Sequence, residues 1–119
     1  LAPDAIGGPT LGADPMVSAV VALSHLRGQP LPGFLVRKEA KGHGTSSLLE
    51  GQHRPGWRAV VVEDTVTTGG SLLRAIEAVE AAGLRCVAVA ALVDREEGGR
   101  EALAGRDYEP LFSVSEVLG

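Results

Sequence analysis

The stretch Val60-Val-Val-Glu-Asp-Thr-Val-Thr-Thr-Gly-Gly-Ser71, with what flanks it, constrains the fold more than any other part of this chain. Arg58-Ala-Val-Val-Val62 has the continuous apolar character of a strand covered on both faces. From Ser71 to Ala82 the period changes. Leu72, Leu73, Ile76, Val79 and Ala82 recur at three- and four-residue spacing, which predicts a helix, and Gly83 stops it. Cys86-Val-Ala-Val-Ala-Ala-Leu-Val93 then reads as a second buried strand. Strand, helix, strand in that order is a crossover unit, the connection a parallel sheet requires.

The rest of the chain extends the same pattern. Residues 4–8, Asp-Ala-Ile-Gly-Gly, read as a strand running into the turn Pro9-Thr10-Leu11-Gly12. Asp14-Pro15 fits a helix start with aspartate as the cap, and Met16, Val17, Val20, Val21, Leu23 and Leu26 carry that helix to Gly28. Phe34-Leu-Val36 is a short strand, and residues 38–56, glycine-rich and without apolar periodicity, read as one long loop. After the charged segment Asp94-Arg-Glu-Glu-Gly98, Leu111-Phe-Ser-Val114 is a last strand, with Ser115 capping a short terminal turn. The expectation is an α/β domain with a mainly parallel sheet flanked by helices, occupying residues 1–119 without repeat, linker or second domain.

Composition excludes several functions. The formal charge of -4 argues against a phosphate-neutralising nucleic-acid surface, and 3% aromatics leaves little for base stacking. The single cysteine, Cys86, has no internal partner and lies in an apolar run, so an inert buried thiol is expected. No apolar stretch approaches the roughly 20 residues that span a bilayer, and no signal-peptide pattern opens the chain. A cytoplasmic protein is expected. His25 reads as a helix-end or surface residue, His53 as the edge of the long loop, and Trp57 as packing where a strand begins. The three histidines and one cysteine have no zinc spacing.

Chemistry concentrates at the carboxyl ends of the strands, where ligands collect in parallel α/β sheets. Glycines at 69 and 70 let the backbone turn so that amides aim at a phosphate, while Thr65, Thr67, Thr68 and Ser71 add hydroxyls and the following helix adds its positive end. Glu63 and Asp64 would repel that phosphate unless the ligand also carries a diol or a metal. A phosphate at one end and a diol at the other describe a phosphorylated ribose. Separately, Arg37, Lys38, Lys41 and His43 place four cations within seven residues, and those two lysines are the only ones in the chain. Such a loop suits a highly charged leaving group that must be covered and then released.

Val60–Ser71 resembles the phosphoribosyl pyrophosphate (PRPP) motif of type I phosphoribosyltransferases. Val36-Arg-Lys-Glu-Ala-Lys-Gly-His-Gly44 is similar to the mobile catalytic loop of the orotate phosphoribosyltransferase family, and Asp94-Arg-Glu-Glu-Gly98 to the segment that helps hold the pyrimidine there. Gly8-Pro-Thr-Leu-Gly-Ala-Asp14 resembles the family's pyrophosphate loop, with glycine near the place where some members carry lysine. Glu63 stands where several members have aspartate, which keeps the charge. The resemblance implies the type I phosphoribosyltransferase fold and transfer of phosphoribosyl from PRPP to orotate, giving orotidine 5′-monophosphate and pyrophosphate in pyrimidine biosynthesis.

The resemblance implies roles as well. PRPP would be bound by Arg37, Lys38, Lys41, His43, Glu63, Asp64, Thr65, Val66, Thr67, Thr68, Gly69, Gly70 and Ser71. Lys41, Glu63 and Asp64 would be catalytic, and Thr67 and Arg95 would contact orotate. Mg²⁺ would be held mainly through PRPP, with no protein ligand assigned. A homodimer is implied, the mobile loop closing over the partner's site. Members carry a further region ahead of this part, a hood over the base, so the chain is expected to lack its N-terminal portion. Two other readings share the Glu63–Ser71 motif: a phosphoribosyltransferase for another base, and a PRPP-sensing regulator without catalysis.

Overall fold

A computed structural model describes residues 2–39 and 48–119. The elements are β1 Ala5–Pro9, α1 Asp14–Leu26, β2 Gly33–Val36, β3 Leu49–Gly51, β4 Arg58–Val66, α2 Gly70–Ala81, β5 Arg85–Asp94, α3 Gly99–Ala102, β6 Tyr108–Ser113 and α4 Val114–Leu118. The strands form one sheet in the order β3-β2-β1-β4-β5-β6. Every neighbouring pair is parallel except β2 with β3.

Alternation along β4 sorts the core onto two faces. Val61 joins the cluster containing Leu72, Ile76 and Val79 of α2, with Val89, Leu103 and Tyr108. Its neighbour Val62 joins Ile6, Ala13 and Val17 on the α1 side. Both crossovers thereby cover the sheet, as the apolar runs of β4 and β5 require, and the strand order puts the ends of β1, β4 and β5 side by side.

Several boundaries differ from the sequence reading, each for a physical reason. β4 runs on to Val66 because Glu63, Thr65 and Val66 pair with Ala91, Val93 and Asp94 of β5, so ladder pairing overrides their polarity. Residues 38–56 include β3, a three-residue edge strand whose Leu49 pairs with Val36. Asp14 is not the cap of α1. Ala13 occupies that position without a side-chain bond, and Asp14 Oδ2 instead accepts from the Thr10 hydroxyl at 3.1 Å. The cap of α4 is Ser113, not Ser115, in a reciprocal capping box with Glu116. Cys86 is half-buried, with its thiol pushed up chiefly by burial. His25 is exposed near the end of α1, its Nδ1 2.9 Å from the Val21 carbonyl, as expected. Trp57 packs on the core with the Arg54 guanidinium 5.8 Å from its ring.

Candidate functional site

The two carboxylates of β4 occupy the last turns of the strand before the chain bends, and alternation sends them to opposite faces. On the α2 side, Glu63 Oε1 accepts from the Ser71 hydroxyl at 2.9 Å. On the α1 side, Asp64 lies against Gly12: a Cβ at Gly12 would stand 2.5 Å from Asp64 Oδ1. Asp64 Oδ1 also accepts from the Thr65 amide at 2.7 Å. Partial burial raises the Glu63 carboxyl above its ordinary value against the pull of the Ser71 hydroxyl, and the Asp64 charge adds to the rise. The pair therefore straddles the edge of the sheet, one carboxylate toward α2 and the other toward the β1–α1 turn.

Between β4 and α2 the chain turns through Thr67, Thr68 and Gly69. Gly69 has φ of 93°, a left-handed conformation that a residue with a side chain resists, and it precedes the first residue of α2. Thr65, Thr67, Thr68 and Ser71 are exposed. The first-turn amides of a helix have no intrahelical acceptor, so this turn presents donors and hydroxyls together. The Val66 side chain is 1% exposed and faces the core, which leaves only its backbone toward the turn.

The β1–α1 turn reaches the same edge because Gly8 allows close approach. A Cβ there would collide with the Val62 carbonyl and lie 2.6 Å from the Ala13 methyl. The Thr10 amide donates to the Val36 carbonyl at 3.0 Å, tying this turn to the end of β2. Arg37 and Lys38 follow directly. Arg37 Nε donates to Glu50 Oε2 at 2.8 Å across β2 and β3, and Lys38 is exposed. A cleft of about 610 Å³ runs from Pro9 and Thr10 past Arg37 and Lys38 to Ser71 and Arg74. Lys41 and His43 lie outside the described residues.

Arg95 stands at the end of β5. Its amide donates to the Val66 carbonyl at 2.9 Å, so the turn carrying Arg95 adjoins the one carrying Thr67. The Arg95 side chain meets only the exposed Glu97, at 3.1 Å, among the described partners. Behind both turns, α3 packs closely: a Cβ at Gly99 would collide with Val66 Cγ1 and lie 3.0 Å from the Thr67 carbonyl.

The sequence reading missed three contributors. Arg74 lines the cleft one helical turn beyond Ser71, and that spacing placed it on the same face. Asp94, read as part of a charged turn, is 2% exposed, and its Oδ2 accepts from the Tyr108 hydroxyl at 2.8 Å. Tyr108 carried no signal at all, because its partner is distant in sequence. Among the described residues, no group of three or more His, Cys, Asp or Glu is arranged to hold a metal. At the edge, Glu63 and Asp64 each offer one carboxylate on its own face, and an ion such as Mg²⁺ needs only one or two carboxylates beside phosphate and water ligands.

The chain is similar to known proteins. The phosphoribosyl transferase domain family matches residues 3–107. The chain is 49% identical over 118 residues to the orotate phosphoribosyltransferase of Aquifex aeolicus (strain VF5), covering 98% of this chain and 64% of that protein. With the orotate phosphoribosyltransferase of Streptomyces coelicolor the identity is 51% over 117 residues, covering 96% and 64%. The crystal structure of the Mycobacterium tuberculosis orotate phosphoribosyltransferase in complex with PRPP matches with a TM-score of 0.83 at 40% identity, covering 98% of this chain and 66% of that one. The chain thus spans 64% of the length of the first two relatives.

Proposed function

The chain belongs to the phosphoribosyl transferase domain family, and from that premise we propose that it is the core of an orotate phosphoribosyltransferase. The observation that carries this is the edge itself, where Glu63 and Asp64 run directly into the Thr67–Ser71 turn and face the Gly8–Asp14 turn. The choice of orotate rests on the Arg37–Gly44 segment and on relatives near half identity that bear that name.

In this reading the amides and hydroxyls from Thr65 to Ser71 take the 5′-phosphate, and Glu63 and Asp64 take the ribose hydroxyls. The Gly8–Asp14 amides with Arg37, Lys38, Lys41 and His43 take the pyrophosphate. The bond from ribose C1 to the pyrophosphate oxygen breaks and the bond from C1 to the orotate ring nitrogen forms, the electron pair leaving with pyrophosphate, which also takes up the proton that the ring nitrogen loses. Two carboxylates beside a ribosyl centre that becomes cationic stabilise it where it develops, and the remainder is positioning. Mg²⁺ would be held mainly through PRPP and would supply charge neutralisation on the diphosphate, with no protein ligand assigned to it. Thr67 and Arg95 face the base, Arg95 toward its anionic edge.

In this reading the protein is a cytoplasmic homodimer whose 37–44 segment serves the partner's site. None of the described helices is long and apolar enough to cross a membrane. Full-length protein with Mg²⁺ and PRPP tests the reading, with orotate absorbance followed against adenine, guanine and uracil. Orotate-dependent pyrophosphate release is expected. Turnover of a purine instead, or PRPP binding without turnover of any base, would overturn it. Mixing Lys41→Ala protein with Glu63→Gln protein tests the crossing segment: activity should reappear in the mixture, and a mixture as inactive as its components would place the segment in its own subunit's site.

A further inference from the structure

Arg95 sits in the middle of a turn whose neighbours on both sides spend their side chains on holding it. Before it, Asp94 is buried with both oxygens engaged: Oδ1 accepts from the Glu96 amide at 2.7 Å and Oδ2 from the Tyr108 hydroxyl at 2.8 Å. After it, Glu96 has φ of 62°, the left-handed region that non-glycine residues seldom occupy, and its Oε1 accepts from the Ser115 amide at 2.8 Å. Ser115 belongs to α4, whose first turn is fixed by the Ser113–Glu116 capping box. The Arg95 amide itself is bonded to Val66. Backbone on three sides is thus anchored to β4, β6 and α4, while among the described residues the guanidinium has only an exposed ion pair that is readily exchanged for a ligand.

A buried carboxylate is costly unless its oxygens are paired, and a core needs none. Tyr108 supplies the pairing from the start of β6. Its ring is buried, with the Arg100 guanidinium 5.6 Å from the centroid, so the hydroxyl is held at a fixed point under the turn. The bond joins β6 to the carboxyl end of β5, next to the turn.

We propose that Tyr108 is a positioning residue for Arg95, acting through Asp94, and that Glu96 holds the opposite side of the same turn against α4. The proposal rests on the reading above that Arg95 meets the base. Nothing in the local sequence around Arg95 points to Tyr108, and Tyr108 is not among the described residues that line the cleft.

The test uses the full-length protein with Tyr108→Phe, which keeps the ring and removes only the O–H, leaving Asp94 Oδ2 without its donor. KM for orotate should rise about tenfold while KM for PRPP stays within about twofold, because the phosphate turn keeps its own local support. Hydrogen exchange at the Arg95 amide should accelerate in the same variant. Glu96→Ala, which disturbs no buried group, should raise KM for orotate about threefold, and Glu96→Gln, which keeps an acceptor for Ser115, should restore it. Equal changes in both KM values, or Arg95 exchange as slow as in the unmodified protein, would overturn the proposal. If Tyr108→Phe does not fold, the Glu96 pair decides: Ala and Gln giving the same orotate KM would overturn it. Absence of orotate turnover in the unmodified protein would sink the substrate reading alone, since the exchange rate at Arg95 judges the tether without any substrate.

Discussion

The two crossovers that meet at the carboxyl edge of the sheet are built by opposite means. The β4–α2 turn is supported by its own sequence neighbours: Asp64 accepts from the next residue's amide, Glu63 accepts from Ser71, and Gly69 makes the bend. The β5–α3 turn is supported from far away, by Tyr108 on β6 and Ser115 on α4. One is a largely local cradle, touched from outside by the Arg95 amide and Gly99, and the other a turn suspended mainly from a distance. The difference teaches what each can tolerate. A local cradle can carry unfavourable charge without endangering the fold, whereas a suspended turn depends on packing that also holds the sheet together.

The largest effect is expected where the cradle's charges are removed. Glu63→Gln combined with Asp64→Asn should lower kcat/KM for PRPP by about 10²- to 10³-fold, the scale of losing groups aimed at a developing charge. The melting temperature should hardly move, because both carboxylates are partly solvated and neither belongs to the core. Steady-state kinetics beside calorimetry checks both halves. A variant that lost its fold along with its activity would break the comparison, by showing that the cradle is structural after all.

A smaller effect is expected where the two crossovers touch. Gly99 begins α3 and lies against Val66 and the Thr67 carbonyl. Gly99→Ala puts a methyl into a contact with no room for it, and overpacking of this kind costs about 1–3 kcal/mol. Urea unfolding should show that loss, and PRPP affinity should fall with it if the displaced residues carry the turn proposed to hold the 5′-phosphate. Stability loss with unchanged PRPP affinity would mean that the cradle rides undisturbed on a shifted α3, which sharpens the case for its independence.

The same division explains what could be read in advance. The alternation and period of residues 58–93 disclosed the crossover, and the glycine–hydroxyl turn disclosed its cradle, because everything involved is adjacent in the chain. Glu63 to Val66 looked like loop because their polarity is visible while their pairing with β5 is not. Asp94 looked like solvated charge for the same reason: its burial depends on Tyr108, which only the fold brings near. β3 and α3 are too short, at three and four residues, to show a period. The cap of α4 was legible, however. Ser113-Val-Ser-Glu116 has the spacing of a capping box, and Ser115 does not.

The finest test concerns the sign of a single charge. Burial raises the Glu63 carboxyl above its ordinary value, with Asp64 adding to the rise. A carboxyl whose value is higher folded than unfolded favours folding when it is protonated. That contribution is complete below the unfolded value near 4.5 and is lost as pH climbs through the raised folded value. At neutral pH the ionised Glu63 therefore works against the fold, and Glu63→Gln should be slightly more stable than the unmodified protein. The advantage should shrink as pH falls and vanish once both states of Glu63 are protonated. Unfolding curves of the two proteins between about pH 4 and 8 measure it. A Gln variant less stable at neutral pH would mean that the bond from Ser71 outweighs burial, and that the cradle is held together by the carboxylate it was expected merely to tolerate.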